Sequence, residues 1–238
     1  MAKIMLDSAK FYLKNLYSGD ERADAHLQYI SNRQLSPTTV KRFGLGASLD
    51  FFSLPDYLAG KGYSRQNLID SGVLTEGKNG KLVDSQGGRL IFPIINALDE
   101  VVAFGGRLLE KSDFAKYKNT KETMLFNKSK MLYNINLLKK LKREQSIKDV
   151  IVVEGYMDTI ALHQAGFDNA VASMGTALTV EQTRLLSRYT KELVLCYDND
   201  EAGKLATQRV ISMLENSEFS VKVLQLPRRL VDGEYVKQ

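Results

Sequence analysis

Short apolar runs alternate with amphipathic segments throughout the second half of the chain. Continuous apolar runs are typical of strands buried on both faces, and the segments between them carry apolar residues at helical spacing. We predict strands over 150–153, 170–173, 193–197 and 221–226. We predict helices from the end of the first strand to Ala165, over 179–189 and over 201–214. This alternation indicates βαβ units, so we expect a parallel sheet flanked by helices.

The first half is more mixed, because helical periodicity there gives way to short apolar runs. The predicted elements are a helix over 1–30, a helix starting at Ser36-Pro37-Thr38-Thr39, two short helices within 51–75, an antiparallel hairpin of 87–94 and 101–107, a basic, partly extended loop over 113–130, and a helix over 134–145. We therefore expect an α/β protein in which a basic, mixed α+β subdomain over 1–148 precedes a Rossmann-like parallel sheet over 149–238.

Composition excludes several classes of protein. No run approaches the 18 apolar residues of a membrane-spanning helix, and the N-terminal segment lacks the apolar core of a secretory signal. We therefore expect a cytoplasmic protein without membrane contact. One cysteine (Cys196) and two histidines (His26 and His163) allow no internal disulfide and leave too few ligands for a closed structural zinc site, so we expect no zinc.

The charge is divided unevenly between the two halves. Residues 1–149 hold 24 lysines and arginines against 16 acidic residues, whereas residues 150–238 hold 9 against 12. Much of the excess lies in 111–148, where 11 basic residues accompany 3 acidic ones. This distribution favours a polyanion held near a cluster of carboxylates. The alternative for any one lysine-rich stretch is a solvated helix face.

Acidic residues follow two of the predicted strands. Glu154 follows the first strand, and Asp198 and Asp200 follow the third, two residues apart and on the same side if strand geometry persists. The carboxyl ends of parallel strands meet at one edge of a sheet, and Asp158 can join from the next helix. Crowded carboxylates stay ionised when they bind a hard divalent cation, so we expect Mg²⁺ or Mn²⁺ at Glu154, Asp198 and Asp200.

A different interpretation applies to some of these acids. Acidic residues at strand ends often cap the following helix, and Asp200 stands directly before a predicted helix. Glu154 fits that interpretation less well, because Gly155 follows it and lets a ligand or backbone approach closely. Tyr156, Tyr197 and Cys196 are interpreted as packing residues, and His163 as a packed or surface residue, rather than as catalytic groups.

Three segments of the second half resemble a known family. The segments Glu154-Gly155-Tyr156-Met157-Asp158, Ala172-Ser173-Met174-Gly175-Thr176 and Tyr197-Asp198-Asn199-Asp200-Glu201-Ala202-Gly203 resemble the successive motifs of the Toprim fold of bacterial DnaG-type primases. Toprim domains also occur in topoisomerases, nucleases and recombination proteins. The resemblance implies a Toprim-like sheet in which Glu154, Asp158, Asp198 and Asp200 are catalytic.

The first half also resembles these primases, which distinguishes among the Toprim proteins. The matching segments are 89–94, 102–107, 116–123 and 126–128. By this resemblance Arg107, Lys116 and Lys128 match basic residues beside the active site, with Arg89 and Asn119 as neighbours. Cations on a glycine-flanked hairpin and a basic loop are suited to phosphate groups, so we expect them to bind nucleic acid and nucleotides.

The sequence departs from the primase pattern near its end. A third acidic motif is expected shortly after the fourth strand, but Leu226-Pro227 is followed by 228–235, in which only Asp232 and Glu234 are acidic and neither is in register. Asp232 is therefore a further candidate metal ligand. We also expect the zinc-binding domain, the domain that docks on the replicative helicase, and the helical region after the Toprim sheet to be absent.

The resemblance implies a DNA primase catalytic core, a nucleotidyltransferase that makes short RNA primers from ribonucleoside triphosphates on single-stranded DNA. A metal-dependent Toprim nuclease would use similar carboxylates, and the irregular third motif also allows a non-catalytic fragment that binds single-stranded DNA. Metal-dependent cleavage without nucleotide incorporation would identify the nuclease. Binding with little metal dependence would identify the fragment.

Overall fold

The computed structural model describes residues 1–110, 112–175, 177–225, 228–231 and 234–237, with side chains described up to residue 225. The chain divides into two units, Met1–Asn127 and Lys128–Gln238. The units are divided by packing, and the second one includes the segment 128–148. The predicted domain limits, 1–148 and 149–238, stay a prediction.

Helices and an antiparallel sheet build the first unit. Its helices are α1 Ala2–Leu16, α2 Glu21–Asn32, α3 Pro37–Phe43, α4 Ser53–Ala59 and α5 Arg65–Asp70. Its strands are β1 Gly46–Ala47, β2 Leu74–Glu76, β3 Leu82–Asp84, β4 Arg89–Ile95, β5 Val101–Leu108 and β6 Tyr117–Asn119. The main sheet has the order β1-β4-β5-β6, and β2 pairs with β3 in a separate hairpin.

The predicted hairpin is confirmed, and it is the centre of this sheet. Strands β4 and β5 pair antiparallel, with Arg89 opposite Leu108 and Phe92 opposite Gly105. The predicted basic loop contributes a further strand, since β6 pairs with β5. Polar residues dominate β6, so its sequence alone gives no strand signal.

The prediction of one helix over 1–30 is wrong, because the chain turns between α1 and α2. Gly19 adopts a left-handed conformation with φ of +75°, and the side chain of Asp20 accepts a hydrogen bond from the backbone N–H of Arg22. This acidic cap starts a new helix. The predicted start at Ser36 is confirmed, because the Ser36 side chain accepts a hydrogen bond from Thr39 N–H.

A buried carboxylate connects α1 to the sheet layer of the first unit. Asp84 accepts hydrogen bonds from Tyr12 Oη (2.8 Å), Ser48 Oγ (2.6 Å) and the backbone N–H of Gln86 (2.8 Å). The Tyr12 ring packs edge-on against Phe104 of β5. Burial raises the pKa of Asp84 to about 6, outweighing the three hydrogen bonds that lower it.

A parallel sheet organises the second unit. Its helices are α6 Ile135–Glu144, α7 Tyr156–Gln164, α8 Val180–Leu186 and α9 Glu201–Leu214, preceded by a single 3₁₀ turn at Lys128–Lys130. Its strands are β7 Asp149–Val153, β8 Ala170–Ala172, β9 Glu192–Leu195 and β10 Ser220–Val223, with a hairpin of β11 Arg228–Val231 and β12 Glu234–Lys237. The sheet order is β10-β9-β7-β8, and all three pairings are parallel.

The predicted parallel sheet is confirmed, with β7 between β9 and β8. Several elements end earlier than predicted: β9 ends at Leu195 rather than at 197, β10 at Val223 rather than at 226, β8 at Ala172 rather than at 173, and α8 at Leu186 rather than at 189. The core of this unit is formed by strand and helix residues that include Val150, Val152, Val171, Leu193, Leu195, Leu186 and Val210. Within the described part of the chain, every helix is too short or too polar to traverse a bilayer.

We predict that the stability of the protein falls between pH 4 and pH 6 because of Asp84. The folded state binds the proton of the Asp84 carboxyl group more tightly than the unfolded chain does. The stability gained from this proton is therefore complete below the ordinary pKa of 3.8 and is lost as pH rises through about 6. The loss amounts to about 3 kcal/mol. Chemical unfolding of Asp84→Asn across this range should lack that decline and show lower stability below pH 4.

The exposed Asp24 offers the matched control, and Asp24→Asn should follow the wild-type curve. An Asp84→Asn variant that declines with pH as steeply as the wild-type protein would contradict the assignment.

Candidate active site

The carboxyl edge of the parallel sheet carries Glu154, one residue after β7. Its side-chain Oε1 accepts a hydrogen bond from the backbone N–H of Asp198 at 2.9 Å. Its own backbone carbonyl accepts from Gly175 N–H at 3.0 Å. The parallel pairing of β7 with β9 and β8 places all three segments at the same edge. The predicted meeting of Glu154 with the Asp198 segment is therefore present in the structure.

Gly203 allows α9 to approach the backbone of Asp198. A Cβ added to Gly203 would lie 2.0 Å from the Asp198 carbonyl oxygen and 2.9 Å from its nitrogen. Contacts under 3.0 Å require something to move, and here the obstacle is backbone rather than a flexible side chain. The first turn of α9 thus packs directly against the Asp198 backbone and fixes its position. This close packing requires glycine at position 203.

Asp200 caps α9, as the alternative interpretation of this residue has it, and the strand geometry on which a same-side arrangement of Asp198 and Asp200 depends does not persist. The strand ends at Leu195, and Asp200 takes the cap position, where its Oδ1 accepts from Gly203 N–H at 2.8 Å. A carboxylate has two oxygens with about four lone-pair sites, so one accepted hydrogen bond leaves capacity to bind a cation. The capping interpretation and a ligand role are therefore compatible.

Asp158 lies in the first turn of α7, next to Gly155. Gly155 is the residue before that helix, and a Cβ there would lie 3.1 Å from Asp158 Oδ2. The Asp158 carboxylate therefore lies over the Glu154-Gly155 turn, as its spacing predicts. An acidic residue in a first helical turn is also favoured by the helix dipole.

These carboxylates fit a hard divalent cation by chemical type, since all their donors are oxygens. The side chains do not form a ready-made cage: within the described residues, no three Asp, Glu, His or Cys side chains are grouped closely enough to hold a metal ion. Binding through Glu154, Asp198 and Asp200 therefore requires side-chain movement. Asp232, the further candidate ligand, lies outside the described residues.

Tyr197 and Cys196 line the inner side of this edge as packing residues, as predicted. Both are 7% exposed, and Tyr156 and His163 are buried as well. Burial, with a smaller contribution from the charge of Glu154, raises the pKa of Tyr197 to about 12, although hydrogen bonds with Ser173 and Leu178 act to lower it. Tyr197 therefore stays a neutral phenol at physiological pH.

Lys128 is a cation on the same unit, at the start of the 3₁₀ turn. Its Nζ lies 3.8 Å from the position that a Cβ on Gly175 would take, and the Gly175 N–H donates a hydrogen bond to the Glu154 carbonyl. Partial burial lowers the pKa of Lys128. This lysine therefore stands close to the Glu154 turn, as its assignment as a site residue requires.

A second group of candidate residues lies in the first unit and is built around Arg107 of β5. The Arg107 guanidinium lies 4.5 Å from the centre of the Tyr29 ring and 5.1 Å from that of Tyr117. Its Nη1 donates to Tyr117 Oη at 2.6 Å. Its Nε is buried and, among the described residues, has no hydrogen-bond partner. Aromatic rings thus hold this cation in place without neutralising it.

Two more cations join Arg107. The positive charge of Arg107 lowers the pKa of Lys116, and partial burial and Arg33 lower it further. Arg33 itself lies over the Tyr29 ring at 5.4 Å. Arg33, Arg107 and Lys116, with Tyr29 and Tyr117, are called the basic cluster below. Like charges gathered in this way indicate a site for a polyanion.

Arg89 and Asn119, the two predicted neighbours of these cations, are packed into the sheet. Arg89 is 6% exposed, and its Nη1 donates to the carbonyl oxygens of Gly106 (3.3 Å) and Lys116 (3.2 Å). Burial lowers the pKa of Arg89. Asn119 is half-buried in β6, opposite Gly105. Arg89 thus ties β4 to the Lys116 segment, and nucleic-acid binding by these two residues stays a prediction.

Sequence patterns missed Tyr29, Arg33 and Gly203. Tyr29 and Arg33 are four residues apart near the end of α2, which puts them on one face of the helix. That spacing was available in the sequence, but nothing in it shows that β5 and β6 lie beside this face. Gly203 belongs to the quoted Asp-rich motif, although its close approach to Asp198 requires coordinates.

Family models match both halves of the chain. The model described as the DNA primase catalytic core, N-terminal domain, matches residues 11–139, and the model described as Toprim-like matches residues 151–234. A DNA primase from Clostridium acetobutylicum is 38% identical over 235 residues, which cover 98% of this chain and 38% of that protein. The chain thus spans about two fifths of this curated relative.

Solved structures of primase cores have the same fold. The Escherichia coli primase catalytic core is 33% identical, with a TM-score of 0.85 over 98% of this chain and 73% of that one. A DnaG primase catalytic domain bound to single-stranded DNA is 32% identical, with a TM-score of 0.84 over 98% of this chain and 72% of that one. These likenesses confirm the predicted Toprim-like fold.

We predict that Gly203→Ala destabilises the second unit, because the new methyl group meets the Asp198 backbone. A loss of about 1–3 kcal/mol is typical when a tightly packed site is overfilled. Chemical unfolding measures it. Gly60→Ala is the control, since Gly60 has φ of −60° and its nearest neighbours would lie at 3.5 Å. Equal losses in the two variants would refute the close approach.

We predict that Arg107→Met raises the pKa of Lys116, because the charge of Arg107 is the largest cause of its lowering. The variant should also bind inorganic tripolyphosphate more weakly. Nitrogen NMR of the lysine amines gives the pKa, and calorimetry gives the affinity. Lys121→Met, at an exposed lysine, is the control and should change neither value. An unchanged Lys116 titration in Arg107→Met would show that the two cations do not interact.

Proposed function

This chain belongs to the DNA primase catalytic-core family, and from that membership we propose that it synthesises short RNA primers from ribonucleoside triphosphates on single-stranded DNA. Such a protein would be a nucleotidyltransferase. The contact between Glu154 and the Asp198 backbone, at the edge of the Toprim-like sheet, is the observation that supports this function most. A related primase domain has been solved bound to single-stranded DNA, which supports such a template here.

We assign the chemical step of the proposed reaction to the carboxylates. Glu154, Asp198 and Asp200 would hold Mg²⁺ or Mn²⁺, with Asp158 beside them and Asp232 as a further candidate. When bound, the metal would supply charge stabilisation for phosphoryl transfer and activate a primer hydroxyl. The Asp198 N–H orients Glu154, and Gly203 N–H orients Asp200. Both carboxylates are therefore directed by backbone groups, which do not change with pH.

We assign the binding of nucleotide and template to the cations. We assign Arg107 and Lys116 of the basic cluster, together with Lys128, to the triphosphate and the template backbone, with Arg89 and Asn119 as their neighbours. Arg33 adds to the same charge. Contacts to phosphate carry no sequence information, so template binding should be largely non-specific and should weaken as salt concentration rises. In a longer protein, a replicative helicase would be the expected partner and the cytoplasm the expected compartment.

We predict that Glu154→Gln and Asp198→Asn each lower primer synthesis by at least about 100-fold, since residues that only orient metal ligands already cost about 10–100-fold. Incorporation of labelled ribonucleotides on single-stranded DNA, with Mg²⁺ or Mn²⁺, measures the effect. Glu218→Gln is the control, because Glu218 is an exposed carboxylate paired only at the surface with Lys191. It should retain full activity.

Each possible outcome separates the competing functions. Full synthesis by either variant would remove the assignment of the metal site. Metal-dependent cleavage of DNA without incorporation by the wild-type chain would favour a nuclease. Binding of single-stranded DNA without metal dependence or turnover would favour a non-catalytic fragment.

A further inference from the structure

Helix α8 begins with a capping box formed by Thr179 and Gln182. Thr179 Oγ1 accepts from Gln182 N–H at 3.1 Å, and Gln182 Oε1 accepts from Thr179 N–H at 3.0 Å. Such a reciprocal pair satisfies two backbone donors at a helix start. Glutamate serves as well as glutamine for this purpose, because only an acceptor oxygen is required.

The same two side chains make three more hydrogen bonds, all to the turn that carries Lys128. Gln182 Nε2 donates to the carbonyl oxygens of Lys128 (3.0 Å) and Met131 (2.8 Å). Thr179 Oγ1 donates to the Ser129 carbonyl at 2.5 Å. Gln182 is 0% exposed, so these carbonyls lose hydration that the amide must replace. A capping function alone does not require these bonds.

The turn held in this way lies beside the candidate active site. Lys128 Nζ lies 3.8 Å from the position that a Cβ on Gly175 would take, and Gly175 N–H donates a hydrogen bond to the Glu154 carbonyl. Gly175 has φ of +84°, a conformation that L side chains rarely adopt, so a larger residue beside the lysine amine would be strained. The lysine side chain is flexible, so the region that its amine can occupy depends on where the turn places the Lys128 backbone.

We propose that Thr179 and Gln182 are positioning residues that clamp the turn at Lys128–Lys130 and so hold the Lys128 amine beside the Glu154 turn. The inference rests on the proposed function, because it concerns the binding of a nucleoside triphosphate by Lys128. The clamp acts through Lys128, and neither Thr179 nor Gln182 needs to touch the substrate.

Gln182→Glu separates the clamp from the cap. The glutamate keeps the acceptor that Thr179 N–H requires, but it places an oxygen where the amide donated to two carbonyls. Hydrogen exchange should then become faster in residues 128–131 and stay unchanged in α8. The KM for ribonucleoside triphosphate should rise about tenfold, which is the order expected when the one hydrogen bond from the Lys128 amine to the triphosphate is lost. The change in kcat should be smaller.

Two sets of matched variants distinguish loss of the clamp from an effect of the new charge and from a folding defect. The double substitution Glu181→Gln with Gln182→Glu keeps the net charge of the first helical turn, so an effect of net charge on the helix dipole would disappear in it while loss of the clamp would persist. The Thr179 variants introduce no charge at all, so they exclude an effect of a buried carboxylate. Thr179→Ser keeps the hydroxyl and should behave as the wild-type protein, whereas Thr179→Val should loosen the turn and raise KM. If Gln182→Glu does not fold, this second pair tests the clamp. Thr179→Val also removes the acceptor that caps α8, so faster exchange in residues 128–131 than in α8 would support the clamp, and faster exchange confined to α8 would overturn it.

The clamp is overturned if folded Gln182→Glu shows unchanged exchange in residues 128–131. The role in positioning is overturned if exchange there rises while KM stays the same. A wild-type chain without any primer synthesis would defeat the proposed function instead. Exchange and calorimetric binding of ATP would then still decide whether the clamp exists and whether it positions Lys128.

Discussion

The parallel pairing of β7 with β9 is the constraint on which the candidate site depends. The two strands are about forty residues apart in the chain, yet their register puts Val152 beside Leu195, so their ends emerge together. Glu154 and Asp198 follow those ends, and one hydrogen bond from the Asp198 backbone to the Glu154 side chain spans the gap. Residues 150–153 are all buried and are flanked by Asp149 and Glu154, so a slip by one residue would draw a charged side chain into the core. Burial of the sheet therefore also fixes the meeting of the acidic residues.

Charged side chains are held in place in both units, but by different means. In the second unit, backbone N–H groups hold the Glu154 and Asp200 carboxylates through hydrogen bonds. In the first unit, the Tyr29 and Tyr117 rings support Arg107 without neutralising it, and the depressed pKa of Lys116 records the resulting repulsion. This repulsion in the first unit costs folding energy that an anionic ligand would offset, which is the expected electrostatic signature of a binding site.

Much of the second unit could be predicted from sequence, because its strands are continuous apolar runs and its helices are amphipathic. The β4–β5 hairpin was predictable for a similar reason. The break between α1 and α2 and the polar strand β6 were not, since the first depends on the conformation of Gly19 and the second on pairing with β5. In the candidate active site, Glu154 and Asp198 could be predicted because each follows the end of a predicted strand. Spacing could not show that β9 stops at Leu195 and leaves Asp200 at the cap, nor that Arg33 approaches Lys116.

The residues that spacing missed share a physical cause: they act through the backbone of another segment. Gly203 matters because it lacks an atom that would collide with Asp198, and Gln182 matters because its amide reaches carbonyls more than fifty residues away. Neither effect leaves a pattern of charge or hydrophobicity in the chain. The acidic and basic groups of such a site can therefore be found by their chemistry, whereas the groups that fix their positions emerge only when the close approaches of the backbone are known. Since catalysis depends on positions held to fractions of an ångström, these uncharged residues should limit activity alongside the charged ones they place.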